Sequence, residues 1–366
     1  MRATERIVAV VVVLLIAVRL AAPYVLKNQI NHRLQKIPGF TGSVQDVGLH
    51  VWHGGYSMHD LRVLKRGAHG NEPFISAKDI TFTIDYGQLI HGKLVSDIVV
   101  TDGALNFKKS PNPVANQSLG VTKAAPKQLP KPARPWRDAA KDLFPIDITY
   151  LRFVDSTLHY VDDTERPAVD VKVDHLNLEA TGLRNRPSHA KEPYPAVIAA
   201  HGTTIGHGDL RVDIRIDPLA AAPHFQLFLL LQNVWLPALN PMLLAHAKVD
   251  LNRGYLQLYA EITADNGTFR GYVKPILTDL NFNTGRDKDR PLELLWKDVV
   301  SDVSKLIRSK RHKQVATIIP FHGKFSATET VNIWGTIGNL LRNGFIAALR
   351  HGLEPNVRTV SGKARS

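Results

Sequence analysis

The feature that most constrains the fold is a strict alternation of apolar and polar residues in several segments. Ile80–Tyr86 alternates without a slip, and so do Val169–Asp174, Val212–Asp217 and Leu256–Ile262. Successive side chains of a β-strand point to opposite sides, so each segment predicts a strand with one apolar and one polar face. The predicted fold class is therefore mainly β with a few helices, built around a large, mostly antiparallel sheet. This sheet either folds back on itself as a sandwich or barrel or stays open and curled, and periodicity alone does not separate the two.

Further strands are predicted between turn signals rich in Gly, Asn and Asp. They cover Ser43–Val51, Tyr56–Leu64, Asp97–Thr101, Ala104–Lys108, Ile146–Val154, Thr157–Val161, Ala196–Gly202, Phe225–Val234, Thr268–Lys274 and Val315–Ser326. The turn signals are Gly54-Gly55, Asp102-Gly103, Gly206–Gly208, Asn252–Gly254 and Asp265–Gly267. The apolar phase changes at Asp174-His175, which predicts a β-bulge there.

A short internal repeat relates two parts of this pattern. Asp97–Phe107 resembles the segment from Ile148 to Tyr160. Each is predicted as a strand, a tight turn led by Asp, and a second strand that ends on an aromatic residue. The repeat has two competing explanations. One is an extended meander built by adding hairpins, and the other is chance similarity between two hairpins.

The N-terminal segment 1–26 is predicted to be a membrane anchor. Its apolar run extends from Ile7 to Val18, and the predicted anchor residues in it are Ile7, Val11, Leu14 and Val18. A backbone this apolar satisfies its amide groups in lipid by being helical. A cleaved signal peptide is the alternative, but Leu20–Ala22 followed by Pro23 is a poor cleavage site, so a retained anchor is favoured. Arginines ahead of the run favour a cytoplasmic N-terminus.

The rest of the chain divides by composition. Two β-rich segments are predicted, with a flexible Pro/Lys/Ala-rich insert between them. Amphipathic helices and a disordered tail are predicted toward the C-terminus. The boundaries are 27–108 for the first β segment, 109–135 for the insert, 136–330 for the second β segment with a helix at 291–310, 331–353 for a C-terminal helix and 354–366 for the tail.

Charge and cysteine content limit the function classes. The chain has no Cys, which excludes disulfides, thiol nucleophiles and Cys-based metal sites. Its formal charge of +13 suits anionic lipid headgroups or a cell-wall polymer, and an exported chain is not expected to bind nucleic acid. The densest basic cluster consists of Arg308, Lys310, Arg311 and Lys313.

No catalytic constellation is visible in the sequence. Gly87–Leu94 nearly spells a phosphate-binding loop but has Leu94 where a Ser or Thr would hold Mg²⁺. His50, His53 and His59 form the densest histidine group, and the strand period places His50 and His53 on opposite faces. We therefore predict no catalytic residues, no metal and no cofactor, and not an enzyme. An envelope hydrolase is only a minor alternative, because no nucleophile, base and orienting group are visible together in the sequence.

Two groups of motifs resemble the AsmA-like envelope proteins of Gram-negative bacteria. One group comprises the strand pattern from Phe74 to Tyr86, Gly87–Leu89 with Gly92–Leu94, and Ile98 to Phe107. The second group resembles a separate branch of that superfamily and comprises Leu239–Pro241, Asp250–Leu256, Asp265–Gly267 and Gly271–Pro275. The similarity extends from about Leu26 to Leu353, apart from the Pro-rich insert.

The resemblance implies a single-pass inner-membrane anchor and a body in the periplasm. It also implies a repeating, taco-shaped β-groove related to bridge-like lipid transporters, with roles in outer-membrane assembly and phospholipid traffic. The chain is short for this role: about twenty strands at about 4.8 Å give a trough under 100 Å long. A local lipid-binding module, which acts alone, as an oligomer or with other envelope proteins, fits this length better.

The leading hypothesis is a non-enzymatic, membrane-anchored periplasmic protein whose apolar sheet face binds lipid acyl chains. The predicted lining residues are Phe82, Ile84, Val171, Val173, Ile214, Ile216, Phe225, Leu227, Leu229, Leu256 and Leu258. The alternative is a closed β scaffold that binds anionic headgroups, cell-wall polymer or a protein through its basic surface.

Overall fold

A computed structural model describes residues 3–37, 39–50, 54–66, 72–84, 95–109, 147–183, 192–220, 222–247, 249–283, 314–316 and 318–325. Within these ranges one sheet contains fourteen strands. The strands are β1 (Phe40–Ser43), β2 (Asp46–His50), β3 (Gly55–Lys65), β4 (Ile75–Ile84), β5 (Val95–Lys109), β6 (Asp147–Asp162), β7 (Val169–Leu183), β8 (Ala196–Thr204), β9 (Gly208–Ile216), β10 (Phe225–Trp235), β11 (Leu251–Asp265), β12 (Thr268–Phe282), β13 (Gln314–Ala316) and β14 (Ile319–Lys324).

The strands follow one another across the sheet nearly in chain order. The path is β1-β3-β4-β5-β6-β7-β8-β9-β10-β11-β12-β13, with β2 beside β3 and β14 beside β12. Every neighbouring pair is antiparallel except β5 and β6, which run parallel. The mainly β fold class and the large, mostly antiparallel sheet are confirmed.

Helix α1 (Ala3–Gln35) runs through the predicted anchor and continues without a break past position 26. Among the residues that the structure describes, no helix combines the length and the apolar character needed to cross a membrane. The side chains of Ile7, Val11, Leu14 and Val18 lie outside the described set. The membrane anchor therefore stays a prediction.

The last turns of α1 are fixed to the first strands. The Asn31 side chain accepts a hydrogen bond from the Val44 N–H at 2.7 Å and donates one to the Val44 carbonyl at 3.3 Å. Arg66 at the end of β3 donates to the Gln35 carbonyl. Because Val44 is buried, this junction is part of the folded body.

A line of β-bulges runs through part of the sheet. Their backbone has positive φ at residues other than glycine, a conformation that Asp, Asn and His tolerate better than most side chains. The residues are Asp155 in β6, His175 in β7, Asn233 in β10 and Asp279 in β12. Asp60 in β3 and Asp102 in β5 also have positive φ, but their strands pair with β4 without a register shift there. The bulge predicted at Asp174-His175 is confirmed.

The bulges keep one face of the sheet apolar. In β7, Val173 lies opposite Leu158 before the bulge, and Leu178 lies opposite Phe153 after it. An uninterrupted strand would have placed these valine and leucine positions on opposite faces, since side chains alternate with a period of two. The extra residue at the bulge corrects the phase, and it also bends the strand and increases its twist.

Three of the predicted turns are wrong, because the chain continues in the same strand there instead of reversing. Asp102-Gly103 lies inside β5, Asp155-Ser156 inside β6 and Asn252–Gly254 inside β11. Conversely, Ser43–Val51, predicted as one strand, is split between β1 and β2. The turns at Gly206–Gly208 and Asp265–Gly267 are confirmed.

The internal repeat consists of two long strands, each with a positive-φ Asp, that pair side by side. Asp97 of β5 lies opposite Tyr150 of β6, and Phe107 lies opposite Tyr160, so equivalent positions of the repeat are partners in the parallel ladder. The predicted pair of hairpins is therefore wrong. Because the pairing is parallel, Lys109 and Asp147 lie at opposite ends of the two strands.

Several predicted segments lie outside the described residues. They are the insert from residue 110 onward, the segment 87–94, the helices at 291–310 and 331–353, and the tail 354–366. Lys109, predicted as the first residue of the insert, is instead the last residue of β5. A short helix that the sequence analysis missed, α2 (Asn240–Ala247), follows a 3-10 turn at Leu236–Leu239.

Candidate functional site

One unbroken row of apolar side chains crosses the whole sheet. Each member lies directly opposite the next on the neighbouring strand, so all of them point to one face. The row consists of Val47, Met58, Ile80, Val100, Phe153, Leu178, Ala200, Val212, Leu229, Ala260, Val273 and Ile319. With strands about 4.8 Å apart, the row is about 50 Å long. We call this side the apolar face and the opposite side the polar face.

All eleven residues predicted to line a lipid groove point to the apolar face. Their burial divides them into two groups. Ile214, Ile216, Phe225, Leu227, Leu256 and Leu258 are buried in packed clusters. Phe82, Ile84, Val171, Val173 and Leu229 are half-buried.

The buried group lies where the protein covers its own sheet. Leu243 of α2 is fully buried against Leu256, Leu258 and neighbouring residues of β10 to β12. Phe321 and Phe325 pack against the cluster that contains Phe225 and Leu227. These contacts make the β10 to β12 part of the apolar face an ordinary protein core.

The apolar face between β3 and β8 has a smaller packed cluster, Ala77, Ile80 and Val100, and the apolar side chains packed around this cluster are half-buried. Tyr56 and Phe82 stack with their ring centroids 4.6 Å apart, and both remain partly exposed. Burial among these side chains raises the pKa of the Tyr56 phenol above its ordinary value. Other half-buried apolar side chains of this region are Met58, Ile98, Leu151, Phe153, Leu178 and Ile198.

The polar face carries charges that are mostly paired with one another. Arg152 of β6 contacts Glu179 of β7 at 3.4 Å, and the Tyr150 hydroxyl donates to the same carboxylate at 3.1 Å. Arg211 and Asp213 of β9 form a second pair at 3.0 Å. An acyl chain would find hydrated ionic groups on this side and hydrocarbon on the other.

A buried carboxylate closes one end of the parallel strand pair. Asp162 is 1% exposed and accepts a hydrogen bond from Lys109 at 2.8 Å and from the Thr164 N–H at 2.9 Å. Burial alone would raise its pKa, but the hydrogen bonds from Lys109 and Thr164 outweigh burial and hold the pKa of Asp162 below its ordinary value. The carboxylate therefore favours its ionised form in the folded protein.

Replacing Asp162 by Asn is expected to lower the free energy of unfolding by about 1–3 kcal/mol at pH 7, because buried hydrogen bonds to a charged acceptor are lost. Since folding depresses the pKa of Asp162, its stabilisation is present above the unfolded-state pKa of about 3.9 and is lost as the pH falls through the folded-state pKa. Urea unfolding at pH 7 and pH 3 should show the difference between wild type and variant shrinking at low pH.

The matched control is Asp163→Asn, one residue further on. Asp163 pairs with Lys108 at 3.0 Å but is about a third exposed, so its loss is expected to cost less than about 1 kcal/mol. Equal costs for the two variants, or a cost for Asp162→Asn that does not change with pH, would contradict the assignment.

The structure brings together only part of the predicted histidine group. His50 and His59 lie on the polar face and share the Ser57 hydroxyl, while His53 lies outside the described residues. In the described ranges, no three His, Asp or Glu side chains are grouped so that they could hold a metal ion. The basic cluster of Arg308, Lys310, Arg311 and Lys313 also lies outside those ranges.

The bulge residues were missed by the sequence analysis at all but one strand. Their signal is present in the sequence at Asp155, where an Asp-Ser dipeptide stands at the point at which the apolar parity flips. The same dipeptide suits a tight turn, and this led to the turn prediction there.

Comparison of the chain with models of known protein families and with curated protein sequences gives no match. The resemblance to AsmA-like envelope proteins therefore rests on the strand and turn motifs alone and stays a prediction.

Proposed function

We propose that the protein is a membrane-anchored, lipid-binding protein of the bacterial cell envelope, with its body in the periplasm. In this role it holds lipid acyl chains on the apolar face and does not alter them chemically. The observation that carries the proposal is the unbroken apolar row about 50 Å long, whose β3 to β8 part is incompletely buried.

Hydrocarbon on such a surface is favourable because exposed apolar area costs about 25 cal/mol per Å² in water. Soluble proteins rarely leave contiguous apolar patches larger than a few hundred Å² unless the patch binds something. The charged polar face directs acyl chains to one side of the sheet. The bulge line bends the strands, which supports a trough-like shape for the apolar face.

The structure refines the proposed lining. Ile214, Ile216, Phe225, Leu227, Leu256 and Leu258 are already covered by protein, so acyl chains would contact the half-buried residues between β3 and β8 instead. Phe82 of the predicted set lies there, opposite Tyr56 on β3 and Ile98 on β5. The limited length of the row supports a local lipid-binding module over one that bridges the envelope alone.

Site-specific photocrosslinking tests this proposal in the full chain in its own membrane. A photoreactive benzophenone amino acid replaces either Phe82 or Thr81, adjacent half-buried residues of β4 that point to opposite faces. After irradiation, we expect lipid adducts on the peptide carrying position 82 and few or none on the peptide carrying position 81, as measured by mass spectrometry.

The pair controls for distance from the membrane, expression level and probe chemistry, because the two positions are neighbours in the chain. Equal lipid adducts at positions 81 and 82 would mean that the apolar face has no special affinity for acyl chains. Absence of adducts at position 82 would also contradict the proposal.

A further inference from the structure

The polar face of β2 to β4 carries a serine, two histidines and an aspartate joined by hydrogen bonds. The Ser57 Oγ lies 3.2 Å from Nε2 of His59 and 3.2 Å from Nε2 of His50. The other ring nitrogen of His59, Nδ1, is hydrogen-bonded to Oδ1 of Asp79. These four side chains are outside the apolar face and take no part in the proposed lipid binding.

Strand geometry accounts for this arrangement. Ser57 and His59 are two residues apart on β3, so both point to the polar face. Asp79 lies directly opposite His59 on β4. Gly48 of β2 lies directly opposite Ser57, and His50 is two residues further along β2. The group is therefore held by three hydrogen-bonded strands and not by a loop.

One assignment of protons satisfies all three hydrogen bonds and activates the serine. With Asp79 ionised and the His59 ring neutral, Nδ1 of His59 donates to Asp79, and Nε2 accepts the proton of Ser57. In this assignment Nε2 of His50 donates to Oγ. A serine whose proton points at a histidine that a carboxylate orients is the arrangement of an activated nucleophile.

Other histidines of the sheet show which part of this arrangement is unusual. His159 with Asp170, His175 with Asp155 and His224 with Asp265 also form cross-strand pairs, at 2.8, 2.7 and 3.2 Å. In the described part of the chain, only the pair of His59 and Asp79 has a serine hydroxyl on the second ring nitrogen. A cross-strand His–Asp pair alone is thus a common feature here, and the serine is the unusual addition.

Gly48 leaves the Ser57 side chain its room. A Cβ placed on Gly48 would be 2.7 Å from Oγ of Ser57, closer than a real Cβ comes to another atom, so a larger residue would displace the hydroxyl. Ser57 itself is 4% exposed, whereas His59 and Asp79 have about 40% of their side chains exposed, so the group meets solvent on the side of His59 and Asp79.

We propose that Ser57 is the nucleophile of a hydrolytic site for carboxylic esters. His59 is its general base, His50 holds Oγ through a hydrogen bond from Nε2, and Asp79 is a positioning residue for the His59 ring. The ester carbonyl approaches Oγ from the side where His59 and Asp79 are exposed. This activity goes beyond lipid binding and is on the opposite face, and it would reverse the expectation that the protein is not an enzyme.

The reaction has two steps. Oγ forms a bond to the carbonyl carbon while its proton passes to Nε2 of His59, and that proton then goes to the alcohol oxygen as the ester C–O bond breaks. Water next attacks the acyl-serine and gives its proton to His59. Collapse of this intermediate breaks the bond to Oγ, which recovers the proton, and the carboxylic acid leaves.

The test is labelling of the full-length protein by a small fluorophosphonate, in which Oγ attacks phosphorus and fluoride leaves. Peptide mass spectrometry is expected to locate the adduct on Ser57 and not on Ser156, a buried serine that bonds the Gly103 N–H and has no histidine partner. No adduct on Ser57 in protein that retains its circular dichroism spectrum would overturn the proposal.

Three variants separate the roles. His59→Gln is expected to slow labelling by about 10²–10⁴ because the general base is lost. Gly48→Ala puts a methyl group 2.7 Å from Oγ, which displaces the Ser57 hydroxyl, and should block labelling. Asp79→Asn should lower kcat for p-nitrophenyl acetate with KM unchanged, since the ring is misoriented but the approach to Oγ is the same. If all three variants labelled at the wild-type rate with unchanged urea midpoints, Ser57 would be reactive without this machinery and the assignment of roles would be wrong.

Discussion

Replacing Phe74 by Ala is expected to lower the free energy of unfolding by about 3–5 kcal/mol, the usual cost of removing a buried phenyl ring. Phe74 is 1% exposed, and its ring lies 5.2 Å from that of Phe40 and 5.7 Å from that of Phe107. The three rings connect β1, the start of β4 and the end of β5, so the variant leaves a cavity between elements that join α1 to the sheet. Urea unfolding followed by circular dichroism measures the loss.

The control for Phe74→Ala is Phe228→Ala. Phe228 is half-buried on the polar face, opposite Asp213 and Glu261, so its truncation leaves no enclosed cavity. We expect less than half the cost. A loss below about 1 kcal/mol for Phe74→Ala would show that the aromatic cluster is not packed as described.

Shortening the connection 110–146 is expected to prevent folding once it can no longer span the strands that it joins. The chain leaves the end of β5 at Lys109 and must re-enter at Asp147, which is paired with Val95 at the opposite end of the same strand. That distance is about 45 Å for a strand of this length. Because an extended chain covers at most about 3.3–3.6 Å per residue, about 13 residues are the minimum.

A variant that retains about 24 residues of the connection should fold normally, since loop-closure entropy changes slowly with length. A variant that retains about 8 residues falls short of the distance and should lose the parallel pairing of β5 and β6. Resistance to limited proteolysis and the urea midpoint distinguish the two. Wild-type stability of the shorter variant would mean that β5 and β6 are not parallel neighbours.

The strands were predictable because their apolar alternation is local. Ile80 and Phe82 reveal the inward face of β4 without any knowledge of its neighbours. The positive-φ Asp residues inside strands were not, since an Asp-Gly or Asp-Ser dipeptide suits both a turn and the interior of a strand. The pairing partner decides between them, and for Asp102 and Asp155 that partner is a distant segment of the chain.

Nonlocal pairing also explains what sequence reasoning missed at the two candidate sites. Ser57 and His59 are visible as neighbours on one strand, but His50 and Asp79 join them only through the register of β2 and β4. The predicted groove residues share a face because parity is local, whereas their burial depends on α2 and the Phe321 region, which pack over them.

The matching register of β5 and β6 determines where the sheet accepts additional strands. Each copy of the repeated strand already has the edge geometry that the other copy recognises, so an additional unit inserted between them would find a compatible partner on both sides. An insertion between β5 and β6 therefore disturbs the pairing of the other strands least. A longer version of this protein is expected to carry its extra strands there, with both original ends of the sheet preserved.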